Sequence, residues 1–375
     1  MRVLHVITSG QRRGGDVFAS DLAAELDTAG IDQMVAALRA PAGPVVPYPG
    51  NVRLLGSSRR LTPGINVDAR AVKALRELIK RWRPDIVQAH GGEPFKYVFA
   101  ADPRRRPPVV YRRIGGAPSW IKRGPRKLVH AQLMRRASRI VAVAESLRRE
   151  TIALFGVAPA TIRTIPNGVS VTRIEPTRQR DETRHVLGIP HDSVVTVSLG
   201  ALSWEKDPMA QLEIARRVLR ARQNVFHIFV GDGPLRGQVE EGIRASGLSD
   251  RCFVLGSRTD VGDLLTASDV YFSASLADGM EGMPATVIEA GMAGVPVAAY
   301  SILGVPEVVE HGVTGLLASQ GDIDQLSRHV VELTGDPSIR RAMGEVARKR
   351  LRIDFDIRTI APSYVDLYSN LLSAG

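Results

Sequence analysis

The feature that most constrains this chain is an alternation that runs twice along its length. Short apolar runs, each closed by glycine or a small polar residue, are separated by longer stretches with a helical apolar stripe. The first series has runs at 3–8, 33–38, 85–90, 108–111, 138–143 and 162–165. Between them lie a stretch that Asp16 could cap and that reaches Gly30, and a helix over 66–81 with Val67, Ala71, Leu75, Leu78 and Ile79 on one side. The second series opens at 193–199 and continues near 225–230, 252–255, 269–272 and 295–299. Runs this short and this apolar suit strands buried on both faces, and helical connections between them predict parallel sheets. At 375 residues the chain exceeds what one core usually organises. The expected fold is therefore α/β, with two Rossmann-like domains whose parallel sheets face a central cleft. The first domain is assigned to 1–168 and the second to 193–358. The charged, weakly patterned segment 169–192 after the Pro166-Asn167-Gly168 turn reads as the linker.

Charge divides along the same line. Residues 1–190 hold 33 Lys and Arg against 15 Asp and Glu, a net of +18, whereas 191–375 hold 17 against 24, a net of −7. Arg-rich solvated surface explains basic richness but not this asymmetry. The asymmetry suits an anionic partner of the first half, such as a membrane surface, a lipid-linked or otherwise anionic acceptor, or nucleic acid. Within 120–136, Ile121, Leu128 and Leu133 form a short apolar edge beside Lys122, Arg123, Arg126, Lys127, Arg135 and Arg136. Cys252 is the only cysteine, so no internal disulfide or cysteine metal site forms, which fits a reducing cytoplasm. The opening MRVLHVITSG reads as too short for a signal peptide, and no apolar run approaches the ~18 residues of a membrane span. The expected location is the cytoplasm, with peripheral attachment at the inner face of the cell membrane.

Ligands of open parallel sheets bind beyond the carboxyl ends of strands. Four segments qualify. The run DGMEGMPATVIEAGMAGVP at 278–296 puts Glu281 in a glycine-rich loop and Glu289 inside the helix that Pro284 opens. Two carboxylates with backbone N–H groups between them suit a polyhydroxylated ligand. A Glu pair at this spacing would otherwise be a helix cap and a surface ion-pair partner. GALSWEKDP at 200–208 places Lys206 between a strand and a helix, where an ammonium can neutralise a diphosphate. FVGDGP at 229–234 is a strand ending in a glycine turn, and GQRRGG at 10–15 with HGG at 90–92 repeats the arrangement in the first half.

In this order the segments resemble the family 4 retaining glycosyltransferases of GT-B fold. The resemblance is most specific over 194–350. There EGMP…E at 281–289 resembles the family's Glu-x7-Glu motif, Lys206 its phosphate-binding lysine, and GVPEVVEHGVTG at 304–315 the segment that follows. PNGV at 166–169 resembles the interdomain Asn-Gly, Gly14-Gly15 the N-terminal loop, and the last helix, about 359–372, the one that crosses back to the first domain.

The resemblance implies a nucleotide-diphosphate sugar as donor, transferred with retention by front-face displacement. It implies no metal and no cofactor, and a product in glycan, polysaccharide or glycolipid biosynthesis. It also implies roles. Glu289 holds the ribose hydroxyls of the donor, and Glu281 with the backbone of Gly282 and Met283 holds the sugar hydroxyls. Lys206 neutralises the diphosphate, Gly14 and Gly15 let the backbone close over it, His90 sits beside the transferred sugar, and Arg258 contacts the base. Two positions depart from the family pattern. Ala201 stands where an Arg is usual, leaving Arg12 and Arg13 as candidates for that phosphate contact, and YRRIGG at 111–116 lacks a His often found there.

Other readings fit the architecture less well. A nicotinamide-dependent dehydrogenase would want Gly-x-Gly-x-x-Gly after the first strand, which 10–15 does not give. A nucleotide-sugar epimerase or glycosyl phosphorylase shares the scaffold. A basic nucleic-acid-binding protein fits the charge, but no recognised motif is present and aromatics are only 5%.

Overall fold

The computed structural model describes residues 1–41, 43–50, 52–57, 67–102, 107–279 and 281–373. The chain divides into two compact units, Met1–Gly168 with Ile357–Gly375, and Val169–Asp356.

The first unit carries β1 (Arg2–Ile7), α1 (Gly14–Thr28), β2 (Asp32–Ala37), β3 (Val52–Leu54), α2 (Ala69–Trp82), β4 (Ile86–His90), α3 (Gly92–Ala101), β5 (Val109–Arg113), α4 (Gly124–Met134), β6 (Arg139–Ala142), α5 (Glu145–Phe155) and β7 (Ile162–Thr164). The second unit carries α6 (Val171–Ile174), α7 (Arg180–Val186), β8 (Val194–Leu199), α8 (Pro208–Ala221), β9 (Val225–Val230), α9 (Arg236–Ala245) and β10 (Cys252–Val254). It continues with α10 (Val261–Ala267), β11 (Val270–Ser273), α11 (Ala285–Met292), β12 (Val297–Tyr300), α12 (Val305–Val308), β13 (Gly315–Ala318), α13 (Ile323–Gly335) and α14 (Pro337–Asp354). The last helix, α15 (Ile357–Ser373), returns to the first unit.

Both sheets are parallel, as the apolar runs require. The first has order β3-β2-β1-β4-β5-β6-β7, the second β10-β9-β8-β11-β12-β13. In each, the chain moves outward on one side of its first strand and then crosses to the other side. That places the topological switch point between β1 and β4 in one unit and between β8 and β11 in the other. The helix α15 is part of the first core. Its Ile357, Ile360, Tyr364, Leu367 and Tyr368 pack with Val3, Phe18, Leu22, Ile86, Val110 and Val141.

Several expectations are revised. Asp16 does not cap α1, which starts two residues earlier at Gly14; its carboxylate instead accepts from the Gly10 N–H at 3.0 Å. The strand expected to end at Tyr111 continues through Arg112 and Arg113, and these are not solvated arginines. Arg112 is 1% exposed, its guanidinium 3.6 Å from the centre of the Phe18 ring and bonded to Asn167, while Arg113 pairs with Glu150 at 2.6 Å. The segment 169–192 is not a free linker. It folds as α6 and α7 onto the second unit, where Arg184 donates to the carbonyls of Ala267, His191 and Ser193 and to Asp269, and Asp263 accepts from the backbone of Thr177 and Arg178. Four satisfied contacts explain how a buried arginine can hold charged, weakly patterned sequence in place. The edge strands β3 and β13, three and four residues long, were not anticipated from the sequence. The expected helix over 66–81 begins at Ala69, with Asp68 as its cap; Asn66 lies outside the described residues.

Candidate active site

In the second unit the loops after β8 and β11 meet at the switch point. The first bears Lys206 at the end of a single helical turn (Trp204–Lys206), and the second bears Glu281. Separated by 75 residues in sequence, the Lys206 ammonium and Glu281 Oε1 form an ion pair, with side-chain exposures of 14% and 21%. Glu281 Oε2 is buried and bonds to no other group among the described residues. A buried acceptor of this kind is what a ligand hydroxyl satisfies.

Glycines make the Lys206 loop fit. At Gly200 a Cβ would lie 3.2 Å from Lys206 Cε, so the lysine stem crosses bare backbone there. The turn after β9 stacks directly on this loop: a Cβ on Gly231 (φ 144°) would lie 1.8 Å from the Gly200 carbonyl oxygen, and one on Gly233 2.4 Å from that of Leu202. Leu202 N–H donates to Asp232 O and Leu235 N–H to Leu202 O, at 3.0 and 2.9 Å. The Gly-Asp-Gly turn therefore braces the lysine loop. Leu276 N–H donates to Glu205 O at 2.9 Å, tying the β11 loop to the β8 loop, and Gly304 N–H donates to Gly282 O at 2.7 Å. Met283 is 3% exposed.

Glu289 lies in α11 at 5% exposure, beneath the same loop. Its Oε1 accepts from Arg173 Nη1 at 2.5 Å. Sequence reasoning missed Arg173, because it sits in α6 within the segment taken for a linker, and no local pattern marks it. Arg258 follows β10 and is clasped by Asp260 through two bonds of 2.8 and 2.6 Å, which raises the guanidinium's pKa and lowers that of the carboxyl. It is not drawn to Lys206 or Glu281.

In the first unit Gly14 and Gly15 open α1, whose first turn has no side-chain cap. Ile114, just after β5, packs against both flanking loops: its Cδ1 would lie 3.3 Å from a Cβ on Gly15 and 3.4 Å from one on Gly91. His90 ends β4 and turns inward at 3% exposure, with Nε2 3.0 Å from His5 Nδ1. Burial, then the neighbouring His5 and Arg112, holds the His90 pKa well below the usual imidazole value. Its ring is therefore neutral, and Nδ1 is the atom without a partner among the described residues. Burial also raises the Asp16 carboxyl to about 6, against the backbone bonds of Gly10, Ser9 and Thr8. No group of three or more potential metal ligands occurs among the described residues.

On the surface of the first unit the apolar edge of 120–136 differs from expectation. Ile121 is buried, while Leu128, Val129 and Trp120 are exposed at 68%, 59% and 53%. Only one face of the short α4 can turn to the core, and Ala131 and Met134 occupy it.

Comparison with known proteins follows the two units. The profile "Glycosyltransferase Family 4" matches residues 12–173 and "Glycosyl transferases group 1" matches 179–350. Among curated relatives, the UDP-Gal:alpha-D-GlcNAc-diphosphoundecaprenol alpha-1,3-galactosyltransferase of Escherichia coli is 28% identical, over 81% of this chain and 80% of that one. The 2-deoxystreptamine glucosyltransferase of Streptomyces kanamyceticus is 26% identical, over 80% and 81%. The fold is that of Anabaena Alr3699/HepE in complex with UDP-glucose, with TM-score 0.83 and 21% identity over 99% of this chain and 100% of that one.

Proposed function

Because this chain belongs to the family 4 retaining glycosyltransferases, GT-B enzymes that move a sugar from a nucleotide-sugar donor, we propose that its second unit holds the donor through Lys206, Glu281 and Glu289. The observation that carries this reading is the meeting of Lys206 and Glu281 at the switch point of that sheet. A diphosphate arriving there exchanges one anionic partner of Lys206 for another and frees Glu281 for sugar hydroxyls. The backbone of Gly282 and Met283 supplies further contacts to the sugar, and the N-terminus of α11 adds N–H groups and a favourable dipole end. Glu289 takes the ribose hydroxyls.

The step is front-face displacement. The bond from the anomeric carbon to the diphosphate breaks, the acceptor oxygen bonds to that carbon on the same face, and the acceptor proton passes to the departing phosphate oxygen. Lys206 stabilises the charge that develops on this oxygen, the task a metal performs in other transferases, so no divalent ion is required. In the first unit, Gly14 and Gly15 leave the loop after β1 uncluttered for the donor phosphates, with Arg12 and Arg13 beside them. His90, 3% exposed and turned toward His5, would meet the transferred sugar, as a neutral ring, only by swinging out of the core. Arg258 would reach the base only by leaving Asp260.

The acceptor is proposed to be lipid-linked or otherwise anionic, used at the cytoplasmic face of a membrane. The exposed Trp120, Leu128 and Val129 beside Arg123, Arg126 and Lys127 support this, as does the diphosphoundecaprenol acceptor named for the Escherichia coli relative. Among the described residues no helix is long and apolar enough to cross a membrane. The test of the donor site is a thermal-shift panel of UDP-, GDP-, ADP- and dTDP-sugars. A cognate donor at about 100 times its Kd adds roughly 2.7 kcal/mol of stability. If none of the four raises the melting temperature, the donor assignment is wrong.

A further inference from the structure

We propose that Arg173 is a positioning residue for the donor ribose: it fixes Glu289 so that one carboxylate oxygen is committed to the protein and the other is presented to a vicinal diol. The inference rests on the reading of Glu289 as the ribose anchor and adds a residue, and a selectivity, that this reading does not contain.

Glu289 Oε1 accepts from Arg173 Nη1 at 2.5 Å, with side-chain exposures of 7% and 18%. Oε2 makes no hydrogen bond to any described residue. A carboxylate with one oxygen tied can rotate little about its last bond, and it offers the second oxygen in a single direction. Charge-assisted bonds of this kind also resist exchange with water in so enclosed a place.

The arginine itself is held from below. Val171 and Ile174, on either side of it in α6, are buried, and α10 packs so closely that a Cβ on Gly262 would lie 2.6 Å from the carbonyl oxygens of both Ile174 and Glu175. Val169 N–H donates to Phe355 O at 2.9 Å, fixing the start of the same segment. The guanidinium thus projects from a backbone clamped on two sides, which a surface ion pair does not need. Lysine at this position keeps the charge but loses the planar fork.

A deoxyribonucleotide lacks one of the two hydroxyls of the diol, so a carboxylate fixed in this way distinguishes the two sugars. A mobile one distinguishes them less. The experiment measures, by isothermal titration calorimetry, the affinity for whichever of UDP, GDP or ADP binds most tightly, and for its 2′-deoxy counterpart. The proteins are wild type, Arg173→Ala, Arg173→Lys, Arg173→Gln and Glu289→Ala, each with its melting curve. Wild type is expected to prefer the ribonucleotide by at least about tenfold. Arg173→Ala and Arg173→Gln should lose most of this preference through weaker ribonucleotide binding, with 2′-deoxy binding held within about twofold, and Arg173→Lys should recover part of it. Equal weakening of both nucleotides in the Arg173 variants assigns the arginine to folding and overturns the proposal, as does a preference unchanged from wild type. If Glu289→Ala also keeps the full preference, the ribose role of Glu289 is what has failed. If Glu289→Ala loses it and the Arg173 variants do not, only the role of Arg173 falls. Should Arg173→Ala not fold, Arg173→Gln and Arg173→Lys give the same reading.

Discussion

Replacing Lys206 by methionine keeps the length and most of the apolar stem that crosses Gly200, so the backbone of the loop should survive and the lost quantity is the charge. Its consequences divide into two parts. In the ligand-free protein, Glu281 loses its cation while only 21% exposed. Stranding a mostly buried carboxylate should cost on the order of 1–3 kcal/mol of stability. During transfer, the diphosphate leaves without the ammonium that balances it. Loss of one preorganised partner of a developing charge typically costs about 3–4 kcal/mol of barrier, or about 10²–10³ in turnover. The double variant Lys206→Met/Glu281→Gln isolates the stability part, because it removes the stranded carboxylate, and its melting temperature should recover. Glu281→Gln alone then measures how much turnover goes with the sugar contact and not with the cation. The assay is release of nucleoside diphosphate from the donor found in the thermal-shift panel, with circular dichroism to verify the fold. Turnover of Lys206→Met within about threefold of wild type, a barrier change under ~1 kcal/mol, would refute the assigned role.

Four further outcomes are expected. Transfer should persist in excess EDTA; turnover lost in chelator and restored by magnesium or manganese would count against a donor site in which side chains, Lys206 foremost, supply the positive charge for the diphosphate. Gly231→Ala should destabilise by about 3 kcal/mol or more, because its Cβ would lie 1.8 Å from the Gly200 carbonyl oxygen at φ 144°; Gly14→Ala, with nothing within 4 Å, should leave the melting temperature unreduced and lower transfer only. Burial lowers His5 to about 4 and His227 to about 3, so the unfolded chain binds more protons than the native one between those values and 6.5, and stability, complete above about 6.5, falls as pH drops through that window. His227→Leu should flatten the acid limb by up to about 1.4 kcal/mol per pH unit, and an unchanged slope in urea titrations would exclude His227 as a source. Co-sedimentation with vesicles should require anionic lipid, weaken with salt, and fall in Arg123→Ala/Arg126→Ala/Lys127→Ala and in Leu128→Ser/Val129→Ser; equal binding to neutral and anionic vesicles defeats membrane docking.

The sequence by itself determined the two parallel sheets, because strands buried on both faces must be apolar throughout and their runs stand out against the helical stripes between them. Lys206, Glu281 and Glu289 stood out as candidates for a related reason: they lie in or beside glycine-rich loops at strand ends, in an order that resembles the family's. What tertiary structure alone decided was pairing. That Lys206 meets Glu281 across 75 residues follows from the adjacency of β8 and β11, which is a property of strand order and leaves no trace in local composition. Arg173 could not be found from its neighbours, since a charged residue in weakly patterned sequence looks solvated until Glu289, brought from 116 residues away, covers it. The same holds for Arg112, Arg113 and Arg184, whose charge reads as surface and whose burial is settled by distant carbonyl, amide and carboxylate oxygens. His90 shows the converse. Its position at a strand end suggests an open loop, but the side chain alternates inward along β4 and finds His5 on the neighbouring strand, so its direction is fixed by sheet register and not by the glycines that follow it.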